Sequence, residues 1–157
     1  MGGISLIAFT LFISFILAIT PLPSIIEAFR PDWLLVVLIY WCIALPHKVN
    51  VGTGWICGFI LDILLGSVLG SHAVMLALVA YICSTNYLTI RNFSAVQQVL
   101  IIGLVSAFYH LADYWLQHFL TTAYFQPELL WPILTNMIIW PTALVLLRKY
   151  RRAFRIR

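Results

Sequence analysis

The sequence predicts an all-α membrane bundle of six transmembrane helices, and three observations predict it. Of 157 residues, 63% are hydrophobic and only 9% are charged, whereas a soluble domain carries about 25% charged residues to cover its surface. The apolar residues fall into six runs separated by short polar or proline-containing turns, and a bilayer-crossing helix needs roughly 20 residues, so the length suits one compact bundle. The basic residues segregate to one side when six crossings are drawn. No length remains for a soluble catalytic domain.

The first apolar run, helix 4–20, lacks a basic leader, and Thr20-Pro21 offers no small-residue cleavage site, so a retained helix is expected rather than a secretory signal. Between Thr20 and Arg30, two prolines and Glu27 interrupt the pattern, while Ile25, Ile26 and Phe29 suit a segment lying along the interface. Pro31 fits a first helical turn, and Asp32 places negative charge at the positive end of the next helix dipole. That helix, 32–45, is short and ends at the polar turn Pro46 to Asn50. Helix 53–69 follows, and Ser71 is placed to cap helix 73–88. After the turn Arg91-Asn92, Ser94 and Gln97 form a capping-box pattern at the start of helix 95–120. Pro127-Glu128 opens the last helix, 128–147, and a basic tail, 148–157, comes after it.

Charge supplies the orientation. If the tail Arg148, Lys149, Arg151, Arg152, Arg155 and Arg157 is cytoplasmic, the turns with Lys48 and Arg91 are cytoplasmic too, which puts eight of nine basic residues inside. Arg30 alone falls outside, beside Glu27 and Asp32. An odd number of spans would scramble this segregation, so both termini are expected in the cytoplasm. The net charge of +4 does not point to nucleic acid, because six of the nine basic residues follow Leu147, where they suit lipid headgroups. Cys42, Cys57 and Cys83 are odd in number, far apart and set in apolar runs, which fits small core residues better than disulfides or a zinc site. No repeat or linker divides the chain, so a single domain is expected over 1–157.

Three constellations remain. In helix 53–69, Gly54, Gly58, Asp62, Gly66 and Gly70 recur at spacing four, a stripe of small residues along which a second helix packs closely. Asp62, at its centre, costs about 2.5–3.5 kcal/mol to insert, which the nine Leu, Ile, Val and Phe residues around it offset. An intramembrane carboxylate either fixes a helix contact through buried hydrogen bonds or handles a proton or ligand. In the first case Asp62→Asn should preserve more than Asp62→Leu.

On helix 95–120, Ser106, His110, Asp113 and Gln117 share one face, a hydrogen-bonded seam toward the outer half of the bundle. His110 and Asp113 offer two metal ligands where a site needs at least one more, so no metal is expected. Pro132, Asn136 and Pro141 suit a kinked packing helix, with a broken helix lining a substrate site, as in transporters, as the alternative. No nucleophile elbow, phosphate loop or zinc-protease motif is visible, and neither catalysis nor a cofactor is expected.

Taken together, Phe29-Arg30-Pro31-Asp32-Trp33, the run Ala44 to Gly54, Gly58-Phe59-Ile60-Leu61-Asp62, Gly66 to Gly70, Arg91-Asn92, Phe125 to Glu128, Trp140-Pro141 and the basic tail resemble the MreD family of rod-shaped Gram-negative bacteria over nearly the whole chain. Met1-Gly2-Gly3 departs from it, lacking basic residues before the first helix. The resemblance implies a non-enzymatic inner-membrane scaffold of the cell-elongation machinery, with the single-span MreC as direct partner. MreB filaments, RodA and its penicillin-binding transpeptidase are implied in the wider complex, and a homo-oligomer is compatible with it. It also implies a fold like the substrate-binding component of energy-coupling-factor transporters, which leaves a small-molecule-binding transport subunit as the alternative function.

Overall fold

The computed structural model describes residues 2–21, 23, 29–120 and 130–154. Among them are seven helices and no strand: α1 (Gly2–Ile19), α2 (Trp33–Ala44), α3 (Val51–Leu65), α4 (Ser71–Thr85), α5 (Tyr87–Asn92), α6 (Ala95–Leu120) and α7 (Trp131–Ala153). The interfacial segment with Ile25 and Ile26, the turn with Pro127 and Glu128, and the tail residues Arg155 and Arg157 lie outside the described residues.

The fold is arranged around α2. From Leu34 to Ile43 every residue except Val37 is buried, and the helix packs on α1, α4, α5 and α7. A helix apolar on all sides is stable when surrounded by protein or by lipid, and here the surrounding is protein. With 12 residues it is roughly 18 Å long at about 1.5 Å per residue, shorter than a hydrocarbon core. Other helices shield it from lipid, so its ends can be completed by irregular chain whose polar groups meet protein partners. Trp41 Nε1 donates to Thr10 Oγ1 at 2.9 Å, tying α2 to α1, and Cys42, Cys57 and Cys83 are buried in the same core.

The outer surface is as apolar as the inside. Phe119 is 78% exposed, Ile138 74% and Leu104 72%, an arrangement that water would not tolerate over so much surface and that lipid requires. This is a membrane protein. By length and composition, α6 and α7 can cross a bilayer, and α1 to α4 are shorter apolar helices.

Local chemistry explains where the helices depart from expectation. The third begins at Val51 rather than 53, because Asn50 Oδ1 caps it through Gly52 N at 3.1 Å. It stops at Leu65 rather than 69, since Gly66 adopts the left-handed conformation (φ 64°) and the Gly66 and Ser67 N–H groups both return to Asp62 O. The expected helix 73–88 starts earlier, at Ser71, and breaks at Asn86, whose Nδ2 takes the Ile82 carbonyl at 2.9 Å, before α5 resumes. At α6 the capping box is present: Ser94 N donates to Gln97 Oε1 (2.9 Å) and Gln97 N to Ser94 Oγ (3.4 Å). The last helix runs through Ala153, so Arg148, Lys149, Arg151 and Arg152 are helical rather than a loose tail. Pro132 sits in its first turn, where no N–H partner is missing, so of the two prolines only Pro141 lies inside it.

Candidate functional site

Two polar clusters converge at one end of the bundle. The first is built on Asp62, which is fully buried near the C-terminal end of α3 rather than at the middle of a longer span. Its Oδ1 accepts from Ser67 Oγ (2.8 Å), Ser71 Oγ (3.0 Å), His72 N (3.1 Å) and His72 Nδ1 (2.7 Å). Its Oδ2 accepts from Gly70 N (2.9 Å) and Ala73 N (3.3 Å). A carboxylate is acceptor-only, so His72 carries its proton on Nδ1. Asp62 therefore caps α4 from a neighbouring helix, supplying the acceptors that a helix start needs. Ser71 has the reverse of its expected role: it donates to Asp62, and Gly70 at the cap position makes no side-chain bond.

The glycines around Asp62 divide into two kinds. A Cβ on Gly54 would lie 2.6 Å from Leu76 O, and one on Gly58 would lie 2.4 Å from Ala73 Cα. These two glycines let the α3 and α4 backbones touch, forming the most extensive helix pair of the fold. Gly66 and Gly70 are not part of that stripe. Both lie beyond the end of α3 with positive φ (64° and 97°) and open space at the Cβ position, so the expected unbroken series ends at Asp62, where the helix turns away.

The second cluster joins three helices. Asp32, at the N-cap of α2, receives His110 Nε2 at 2.7 Å and Asn136 Nδ2 at 2.8 Å on one carboxylate oxygen. Asn136 also donates to Ser106 Oγ (2.8 Å) and accepts from Asp32 N (2.9 Å). Ser106 and Asn136 are fully buried. Of the predicted face on α6, Ser106 and His110 thus meet one partner set. Asp113, one turn on, is partly buried, and the side chain of Gln117 lies outside the described residues.

Tyr109 stands between the clusters, its ring 6.3 Å from that of His72 and 5.2 Å from that of His110. Beside it is a cavity of about 160 Å³ lined in part by Arg30, Asp32, His72 and Tyr109. Arg30 donates to the Leu17 and Ala18 carbonyls at the end of α1, where a cation is favoured. Among the described residues, no three His, Cys, Asp or Glu side chains converge as a metal set.

Sequence reasoning missed His72 and the cross-bundle roles of Asp32 and Asn136. A signal existed for His72: Ser67, Gly70, Ser71 and His72 crowd the short turn after a buried carboxylate, and the start of the following helix needs acceptors. Nothing local pairs Asp32 with Asn136, 104 residues away.

A family model described as rod shape-determining protein MreD matches residues 2–150. The chain is similar to the rod shape-determining protein MreD of Haemophilus influenzae, with 35% identity over 144 residues, 92% of this chain and 89% of that relative. No solved structure matches it. By a match over almost its full length to the family and to this relative, the chain belongs to the MreD family of rod shape-determining proteins.

Proposed function

We propose that the chain acts in rod-shape determination as a non-enzymatic scaffold, holding the single-span helix of MreC in the membrane and helping couple MreB filaments to peptidoglycan synthesis by RodA and its penicillin-binding partner. The observation that carries this reading is where its polar groups are spent. Asp62, Asp32, His110, Asn136 and Ser106 bond to one another or to helix ends within the chain. Beside them lies an apolar surface with no partner: a groove of about 740 Å³ between α1 and α7, floored by α2 and walled by Phe9, Ile13, Ile139, Leu146 and Tyr150. From Ile139 to Phe154 this wall runs for roughly 22 Å at about 1.5 Å per residue, most of the roughly 30 Å of hydrocarbon that a spanning helix crosses. Thr10, Ser14 and Thr142 are small polar residues on that surface, of the kind that lets membrane helices approach.

The scaffold is read as a six-span inner-membrane bundle with both termini cytoplasmic, α5 being a short cytoplasmic-side helix. The segregation of basic residues supports this, as does the shielding that allows α2 to be short. A transport subunit like that of energy-coupling-factor systems is the second reading, favoured by the cavity beside Arg30, Asp32 and His72. At about 160 Å³ it is smaller than the roughly 300–1,000 Å³ of ordinary ligand sites, which favours the scaffold.

The test is co-purification of the full chain with MreC in mild detergent, comparing wild type with Ile13→Trp and Leu146→Trp, both exposed in the groove. The scaffold reading expects MreC to be lost from both variants while their melting is unchanged. Normal MreC recovery from both would remove the groove as the docking surface, and a stoichiometric small molecule in the wild-type preparation would favour the transport reading. A second copy of this chain in place of MreC would mark the groove as a homo-oligomer contact.

A further inference from the structure

At the opposite end of the bundle from Asp62 and Asp32, α2, α5, α6 and α7 enclose a cavity of about 150 Å³ lined by Arg91, Arg148, Arg151 and Arg152 together with Tyr40 and Trp140. Tyr40 is 3% and Trp140 1% exposed, and the Tyr40 hydroxyl and Trp140 Nε1 are buried with no hydrogen-bond partner among the described residues. An indole N–H only donates, and a buried donor left unpaired costs about 1–3 kcal/mol. No acidic side chain lines the cavity. Four arginines and two side chains with unserved donors therefore line one space, and what complements them is an anion rich in acceptor oxygens. The remaining wall is Gln98, whose amide nitrogen is already committed to the Ile90 and Phe93 carbonyls, and the apolar Ile43, Ala44 and Leu144, which suit a headgroup joined to acyl chains better than a free ion.

The geometry points to a binding site for the phosphate of an anionic phospholipid at this end, with Tyr40 and Trp140 donating to the phosphate oxygens and the arginines neutralising its charge. Basic pockets between membrane helices on the cytoplasmic side are a recurring way of holding such headgroups. The leaflet named rests on the orientation proposed above, but the site itself does not. Failure of the topology would leave lipid retention in detergent unchanged.

The full chain is reconstituted into vesicles of phosphatidylcholine and phosphatidylglycerol in equal parts and re-extracted into neutral detergent, and retained lipid is counted by mass spectrometry. The wild type is expected to keep phosphatidylglycerol over phosphatidylcholine. The variant Tyr40→Phe should keep it about tenfold less, while melting no lower than wild type without lipid, because the hydroxyl removed is unpaired. Arg148→Gln with Arg152→Gln should lose the preference, and Lys149→Gln, which lies on the groove side, should keep it.

Three results would overturn the proposal. Wild-type retention by the Phe variant would mean that water serves the donors. Equal loss in Lys149→Gln would mean that net charge alone attracts the lipid. Stabilisation by inorganic phosphate as large as that by phosphatidylglycerol would mean a free-anion site.

Discussion

Asp62 uses both oxygens for hydrogen bonds to six donors, three of them backbone N–H groups at the start of α4. This changes what its substitutions predict. From sequence, an amide is an adequate replacement for the carboxylate. In the structure, an Asn amide group must turn its NH₂ toward donors, either Gly70 and Ala73 on one side or Ser67, Ser71 and His72 on the other. Asp62→Asn is therefore expected to lower stability by about 1–3 kcal/mol, and Asp62→Leu by more than about 3 kcal/mol, since each unserved buried donor costs of that order. Thermal unfolding in one detergent checks both, and equal melting of the Asp62→Asn variant and wild type would show that the cap contributes nothing. The same reasoning applies to Asn136, which serves Asp32 through both its amide atoms and reaches Ser106 as well. Asn136→Leu should cost about 2–4 kcal/mol by leaving Asp32 N and its carboxylate short of partners, and unchanged melting would mean that the network is dispensable. Asp62 was legible as an intramembrane polar group, and Asn136 only as part of a kinked helix. Their partners were not, because a hydrogen bond across 104 residues has no local signature.

At the scale of the helix, spacing showed the α3 stripe but not where it ends. Gly58 and Gly66 look equivalent in a spacing-four series, yet a Cβ on Gly58 strikes the α4 backbone at 2.4 Å while one on Gly66 meets nothing within 4 Å. Gly58→Ala should thus separate α3 from α4 and destabilise the bundle strongly. Gly66→Ala should cost only the roughly 1–2 kcal/mol of a left-handed residue bearing a Cβ, and Gly66→Asn less. Comparing the melting of the two Ala variants decides this, and equal losses would contradict the division between stripe and turn. Gly103 is a close contact that no repeat announces: a Cβ there would lie 2.5 Å from Met137 Sδ, at the α6–α7 seam. Capping chemistry was easier to read, as Ser94 with Gln97 shows, because its donors and acceptors are three residues apart.

For the whole molecule, the charge pattern makes the sharpest prediction. Reporter fusions after Arg157 and in the turn near Pro127 should report opposite sides of the membrane, with the C-terminus cytoplasmic, because eight of nine basic residues then lie inside. The same side for both would sink the six-span reading. The bundle is also polarised along its axis, with the Asp62 and Asp32 clusters at one end and an arginine-lined cavity at the other.

By itself the sequence determined the solvent, the helical class and the family, since these depend on composition, on runs of apolar residues and on short motifs that each sit within one segment. It also marked Asp62, Ser106 and His110 as groups that lipid could not leave alone. Only the tertiary structure decided what they bond to, that α2 lies at the centre, and that Tyr40 and Trp140 share a space with four arginines. The physical reason is that lipid makes nearly every helix apolar all round. Hydrophobic periodicity then no longer tells inside from outside, and the neighbours of each helix are chosen by close backbone contacts and by hydrogen bonds between residues far apart in the chain.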